Sequence, residues 1–281
     1  MRIPHLGFSA LLACLVSLSG TAAWAQQAAP TAYEPVRGQA GKDVIWIPTP
    51  APLVEKMLNA ARVTSSDRVF DLGAGDGIIA ITAAKTFGAQ SVGIEYNPQM
   101  AEFARGKVRE AGVADKVRII TGDIFKEDFS SATVVTMYLL PDLNLRLRPI
   151  LLGMKPGTRI VSHAFTMGDW EPEETLQHDA ARAFLWIVPA KVEGDWNLTG
   201  LEGGAVRISL RQNLQAIGGL MNQARSTQPL VGARLRGEEI RFQFTGADRG
   251  LRTFTGRVNG NRIQGTVENG SLQIPVEMVR L

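Results

Sequence analysis

The run Val69-Phe70-Asp71-Leu72-Gly73-Ala74-Gly75-Asp76-Gly77 constrains this chain more than any other stretch. Val69 to Leu72 is a short apolar segment of strand type that stops at closely spaced glycines, and Gly77 to Thr86 follows with helical character. A turn built of glycine leaves no Cβ between the backbone and a ligand. The helix after it adds unpaired N–H groups and the positive end of a dipole. Strand, glycine turn and helix in that order make the ligand-binding corner of an open parallel α/β sheet. A dinucleotide site spaces its glycines G-x-G-x-x-G. Here Gly77 comes one residue early, and Ile78 stands where that pattern needs glycine. Asp71, just before the turn, offers a carboxylate to a ligand that carries an ammonium group.

Two more acids extend the pattern. Glu95 lies at the end of a second strand, Ser91 to Tyr96, where a carboxylate can accept hydrogen bonds from both hydroxyls of a ribose. Asp123 follows a third strand, Val117 to Thr121, placed to accept from an adenine amino group, with Ile124 against the ring. Ammonium, ribose and adenine together describe S-adenosylmethionine (SAM), and Asp71, Gly73, Gly75, Asp76, Gly77, Glu95, Asp123 and Ile124 form the expected cofactor site.

The surrounding pattern supports a sheet of that kind. Strand-like and helix-like runs alternate from Val44 to about Pro189. Asn97-Pro98 reads as a helix start, with Asn as N-cap, and Met100, Phe103, Ala104, Val108 and Ala111 fall on one face before Gly112. Thr133 to Leu139 is a fourth strand. Leu143, Leu147, Ile150, Leu151 and Met154 mark another helix, closed by Pro156-Gly157, and Thr158 to Phe165 is a fifth strand. Thr166 to Ala183 is too short for another full strand–helix–strand unit, so one further strand, Phe184 to Pro189, and an abridged C-terminal half of the sheet are expected. Beyond Ala190 the runs shorten and glycines separate them. Val206 to Leu210, Ile240 to Phe244, Thr253 to Val258 and Ile263 to Val267 have strand length, and Asn259-Gly260 and Asn269-Gly270 signal hairpins. The expected fold class is α/β: a Rossmann-like SAM-binding parallel sheet over 44–190, then a small antiparallel barrel or sandwich over 191–281.

Residues 44–170 resemble the class I SAM-dependent methyltransferases. More narrowly they resemble the mitochondrial and bacterial protein-lysine methyltransferases that act on the ATP synthase c subunit and the adenine nucleotide translocase. The likeness rests on Trp46-Ile47-Pro48-Thr49, the glycine motif, Gly93-Ile94-Glu95, Tyr138-Leu139-Leu140-Pro141 and Pro156-Gly157-Thr158-Arg159-Ile160-Val161-Ser162-His163. It implies SAM as cofactor and a methyl acceptor that is a protein or a small molecule, with N-methylation of a protein lysine or other amine as the expected reaction. Pro48 and Thr49 are candidates for the substrate side, and Tyr138, at the end of the fourth strand, for substrate alignment. The Asp/Asn-Pro-Pro-Tyr/Phe motif of many amino methyltransferases is absent, which speaks against an amide or nucleobase acceptor, and no nucleic acid partner is expected. His163 reads as a packed or substrate-edge residue rather than a base. With His178 it makes too sparse a set for a metal site, and none is expected.

The N-terminus reads as a targeting segment. Leu6 to Leu18 is apolar and short for a membrane span, and Ala23-Trp24-Ala25 fits cleavage before Gln26. Export, with a periplasmic mature protein, is the expectation. Anchoring by residues 6–18 is the alternative, and Cys14 after Leu11-Leu12-Ala13 allows a lipoprotein reading. Cys14 is the chain's one cysteine, so a chain cleaved after Ala25 carries no disulfide. Residues 26–43, rich in Ala, Gln, Pro and Gly, read as a linker. The net charge of +3 is too small to argue for nucleic acid, but residues 190–281 hold 12 of the 30 Lys and Arg against 8 of the 27 Asp and Glu. That bias fits either a solvated face or an anionic membrane-surface or envelope partner. Against the enzyme stands one rival reading, an exported module of the envelope that binds a SAM- or adenosine-type ligand without catalysis.

Overall fold

Strand-forming runs between Arg68 and Ile187 assemble into one seven-stranded sheet of order β3-β2-β1-β4-β5-β7-β6. The computed structural model describes Met1 and residues 33–281, apart from 203, 224 and 225. The expected leader therefore lies outside the described residues, Met1 aside. The strands are β1 (Arg68–Leu72), β2 (Gln90–Glu95), β3 (Val117–Thr121), β4 (Val134–Met137), β5 (Arg159–His163), β6 (Glu174–His178) and β7 (Ala181–Ile187). β1 to β5 pair in parallel, and β7 runs antiparallel to both β5 and β6. In β1 every residue after Arg68 is buried, as a parallel strand covered on both faces requires.

The two faces are covered unequally. Among the described residues the helices are α1 (Ala51–Ala60), α2 (Ile78–Phe87), α3 (Pro98–Glu110) and α4 (Pro141–Leu152). Leu53, Val54, Met57 and Leu58 of α1 pack on one face with Val69, Val134, Val161 and Leu185. Ala80 and Ala84 of α2 pack with Ala101, Ala104 and Val108 of α3. On the opposite face α4 sets Leu143, Leu147 and Leu151 against Phe70, Leu72, Val135, Met137 and Ile160. α3 starts where Asn97 accepts from the backbone N–H groups of Gln99 and Met100, with Pro98 behind it.

This is the Rossmann-like parallel sheet expected from the sequence, with one difference at its far edge. Two strands follow β5, not one. β6 and β7 form a tight hairpin, and no helix lies between β5 and β6. The shortening is in the crossover helix, not in the strands. Residues 164–173 take the helix's place irregularly, and the buried Trp170 of that loop fills the space over Phe184 and Trp186.

The described residues of 194–280 form a second sheet of nine antiparallel strands, β8 (Gly194–Thr199), β9 (Val206–Asn213), β10 (Ala216–Gln223), β11 (Ser226–Pro229), β12 (Val231–Arg236), β13 (Glu239–Thr245), β14 (Leu251–Asn259), β15 (Arg262–Asn269) and β16 (Leu272–Arg280). β8 pairs with both β9 and β16, so the meander curls back on itself. Its ends meet where Leu230 N–H donates to Gly219 O and the Gln228 amide exchanges hydrogen bonds with Thr245. Of the two architectures the sequence allowed, this is the barrel. Its inside is packed with Trp196, Ile208, Phe242, Phe254, Ile263 and Met278, all with no exposed surface. Gly260 and Gly270 open the two Asn-Gly hairpins at φ 58° and 60°, the left-handed backbone such turns need.

The barrel docks on the first sheet through two hairpins. At the β12–β13 turn, Gly237 O accepts from Ala190 N–H, and a side chain at Gly237 would meet Ile187 and Gly157 at 3.0 and 3.2 Å. At the β9–β10 turn, Gln215 donates to Glu171 O and Leu214 packs on the core beside α4. Arg236 adds an ion pair with the largely buried Glu173 at 3.4 Å.

Candidate active site

The C-terminal ends of β1, β2 and β4 open into a cavity of about 340 Å³. Asp71, Gly73, Gly75, Asp76, Glu95, Asp123, Ile124, Tyr138, Pro48 and Thr49 all line it. Gly77 is the exception among the expected residues. It caps α2 at φ 79° and faces Ala104 and Ile119, so it shapes the turn from behind.

The turn needs its glycines for closeness as much as for conformation. Gly75 has φ 54°, and a Cβ there would lie 2.6 Å from Trp46 Nε1. Its N–H donates to Glu95 Oε2 at 2.9 Å, while Glu95 Oε1 accepts from Asn97 N–H at 2.9 Å. Glu95 therefore ties the glycine turn to the start of α3, and each of its oxygens keeps a second acceptor position for a ligand.

Asp71 is 2% exposed and accepts one hydrogen bond, 2.8 Å from Thr136 Oγ1. Burial, reinforced by the neighbouring Asp76 and Glu95, pushes its pKa up to about 7, against the pull of Thr136. Among the described residues no basic side chain reaches it, whereas Asp76 is paired with Lys107 at 2.6 Å. A buried carboxylate that lacks a counter-charge beside a glycine turn calls for a cation from the ligand. Asp123 is already engaged: Phe125 N–H and then Lys42 hold its carboxyl below the usual range, with Lys42 Nζ 3.0 Å away.

Lys42 belongs to a strap that the sequence read as linker. Residues 38–46 close on themselves through Gly38 N–H to Trp46 O, Trp46 N–H to Gln39 O and Gly41 N–H to Val44 O. Residues 39–49 then run along the cavity wall. Lys42 also sits 4.5 Å from the centre of the Tyr96 ring, a favourable placement for a cation.

On the far side of Asp71 the wall becomes aromatic. Tyr138, Leu139, Leu140 and Phe165 line it. The Tyr138 ring packs against His163 at a centroid distance of 3.8 Å, the two planes tilted. The one cavity thus carries both buried carboxylate and aromatic, apolar lining.

Known proteins resemble this chain over the same residues. The model of the ANTKMT methyltransferase domain matches residues 71–174. A protein-lysine N-methyltransferase from Saccharolobus islandicus (strain REY15A) is 44% identical over 136 residues, which are 48% of this chain and 84% of that relative. The chain belongs to the SAM-dependent protein-lysine N-methyltransferase family. The mouse lysine N-methyltransferase of the ATP synthase c subunit is 30% identical over 46% of this chain and 52% of its own length, so the chain spans about half of that mammalian relative. Among solved structures, an RNA methyltransferase from Salinibacter ruber in complex with S-adenosyl-L-homocysteine is 48% identical, covering 52% of this chain and 96% of that one at a TM-score of 0.51. For this methyltransferase domain SAM is the cofactor. Lys42, Trp46 and Phe165 line the cavity, and Thr136 holds Asp71, although the sequence does not single them out for cofactor or substrate. Trp46 has a visible signal in Trp46-Ile47-Pro48-Thr49, while Lys42 sits in a stretch whose composition reads as linker.

Proposed function

We propose that the cavity binds SAM through Asp71, the Gly73–Gly75 turn, Glu95, Asp123 and Ile124, and that the protein methylates a lysine side chain of a protein presented at the Tyr138–Phe165 wall. The uncompensated Asp71 carboxylate carries this reading, because the ammonium of the methionine moiety supplies the charge it lacks. Bound SAM supplies an electrophilic methyl carbon on a sulfonium sulfur. The chain's own task is to hold the acceptor nitrogen in line with that carbon and to favour its neutral form. Deprotonating a lysine of pKa near 10.4 at pH 7 costs roughly 4.6 kcal/mol, and the apolar wall of Leu139, Leu140 and Phe165 reduces that by disfavouring the charged amine. The relatives named as lysine methyltransferases support a protein amine as acceptor. The N-terminal run before Gln26 favours an acceptor in the cell envelope, and peptide mapping of the mature N-terminus tests that part.

The test is calorimetry with SAM, followed by transfer of labelled methyl into protein and RNA fractions of a cell extract. Micromolar SAM binding and label released as methyl-lysine support the reading. No binding by folded protein at millimolar SAM overturns it, label in RNA moves the acceptor to the class named for the Salinibacter neighbour, and binding without transfer leaves a ligand-binding module.

Among the described residues, none from 191–281 lines the cavity. Removing the barrel is therefore expected to change SAM affinity by less than about threefold, the size of a lost peripheral contact. It is also expected to lower the melting temperature, because Leu214 and Gly237 leave their docking sites. Titration and thermal unfolding of residues 33–190 against the full chain check both halves.

A further inference from the structure

We propose that His163 is a positioning residue of the acceptor side, setting the ring of Tyr138 by close ring contact and the Pro48–Thr49 end of the strap by its hydrogen bond to Thr49. The proposal rests on the methyltransferase reading for its kinetic consequence, while its structural half stands apart from it.

Two side chains meet this imidazole, and two further contacts fix the backbone around it. Thr49 Oγ1 lies 3.0 Å from His163 Nδ1, and both residues are 5% exposed, so the contact joins the root of the strap to the end of β5 inside the protein. The Tyr138 ring, just past β4, lies against the imidazole with an interplanar angle of 36°. Directly after His163 the chain bends: Ala164 has φ 67°, and Phe165 N–H donates back to His163 O at 2.9 Å. A non-glycine residue in left-handed backbone is uncommon and is retained where the surroundings demand it. That bend turns Phe165 into the cavity wall, 6.4 Å from the centre of Tyr138. From α4, the fully buried Asn144 amide donates to Phe165 O, Thr166 O and Ser162 Oγ, fixing the bend from below.

A histidine that only filled space would not need the Thr49 bond together with close contact to a cavity-lining ring. Its own side chain stays out of the cavity lining, so it acts through Tyr138 and Thr49. Burial holds its pKa down at about 4. The ring is neutral at physiological pH and contributes shape and one hydrogen bond, not charge.

The halves separate by substitution in the full chain. His163→Phe keeps a ring and loses the Thr49 bond, His163→Asn keeps a polar group near Nδ1 and loses the ring, and Thr49→Val removes the hydroxyl alone. With a short lysine peptide as acceptor, kcat is expected to fall about tenfold in both His163 variants, while the SAM dissociation constant stays within about threefold. Hydrogen exchange over residues 38–54 is expected to quicken in His163→Phe and Thr49→Val and to stay near wild type in His163→Asn. Unchanged exchange in both His163→Phe and Thr49→Val overturns the proposal, whatever the activity. So does a loss of SAM affinity as large as the loss of kcat, which marks general damage, and so does a kcat loss beyond about a thousandfold, which marks direct contact with the reacting atoms. Failure of the wild type to bind SAM sinks the methyltransferase reading alone, because the exchange result still judges the contact.

Discussion

Raising the pH from 5 to 7 is expected to tighten SAM binding by on the order of fiftyfold, and Asp71→Asn to remove most of that dependence. The cause lies in Asp71 itself. Its folded pKa stands near 7, first because it is buried and then because Asp76 and Glu95 are close. Below that value the carboxyl holds a proton in the ligand-free protein, and the proton must leave before the carboxylate pairs with an ammonium. Each pH unit below 7 therefore costs about a factor of ten in affinity. The rise ends near pH 7, and a decline follows as the ligand's own α-amino group loses its proton at about 7.7–8.0. Calorimetry in buffers of different ionisation enthalpy is expected to show close to one proton released at pH 6 and little at pH 7.5. A flat profile between pH 5 and 7 would remove Asp71 from the ammonium site. At pH 7.5, Asp71→Asn forgoes a charge-assisted hydrogen bond, about 1.5–3 kcal/mol, or roughly ten- to a hundredfold in affinity.

The same group has a stability consequence of opposite sense. Because the folded pKa is raised from the ordinary 3.8, Asp71 favours the ligand-free fold most below pH 3.8, and that contribution is lost as the pH rises through 7. His163 behaves the other way. Its folded pKa is depressed from 6.5 to about 4, so its contribution is complete above pH 6.5 and is lost as the pH falls toward 4. On the proposed binding mode, the cofactor's ammonium is expected to offset the first deficit by giving Asp71 a partner.

How far this site was legible in the sequence depended on distance along the chain. The glycine turn, Asp71 and the Asn97-Pro98 cap are local patterns, and a strand, a turn and a helix start can be read from a few residues each. Glu95 and Asp123 were legible because parallel strands put successive strand ends side by side. The pair Thr49–His163 was not, because its members are separated by 114 positions and only the completed sheet joins them. Lys42 was hidden by composition: Gly38, Gly41 and their neighbours look like linker until the ion pair with Asp123 gives the strap a fixed course. The second extra strand escaped for a similar reason. β6 reads Glu-Thr-Leu-Gln-His, an edge strand without a buried face, and its signal comes from pairing with β7.

That edge also sets the largest expected loss of stability: Trp186→Ala is expected to cost about 3–5 kcal/mol. α4 is the helix that covers its face of the sheet, since the chain lacks a helix between β5 and β6, and the apolar surface of β7 on that face still has to be shielded. Trp186 does this from within the strand. It has no exposed surface, packs against Phe184 at 6.0 Å and Trp170 at 6.2 Å between ring centres, and donates from Nε1 to Trp170 O at 2.7 Å. Its removal opens a cavity large for any core and also leaves the Trp170 carbonyl without that donor inside the protein, a second cost of about 1–3 kcal/mol if no water enters. Leu214 of the barrel packs on the same cluster, so the loss reaches the docking of the second sheet as well. The loop it pins, residues 164–173, begins with the bend that carries Phe165 into the cavity. Chemical denaturation should therefore show a lower midpoint for Trp186→Ala. Trp186→Phe, which keeps most of the volume and loses the hydrogen bond, should fall between it and wild type. If Trp186→Phe is as unstable as Trp186→Ala, the hydrogen bond to Trp170 outweighs the packing, and the loop is held at that one point.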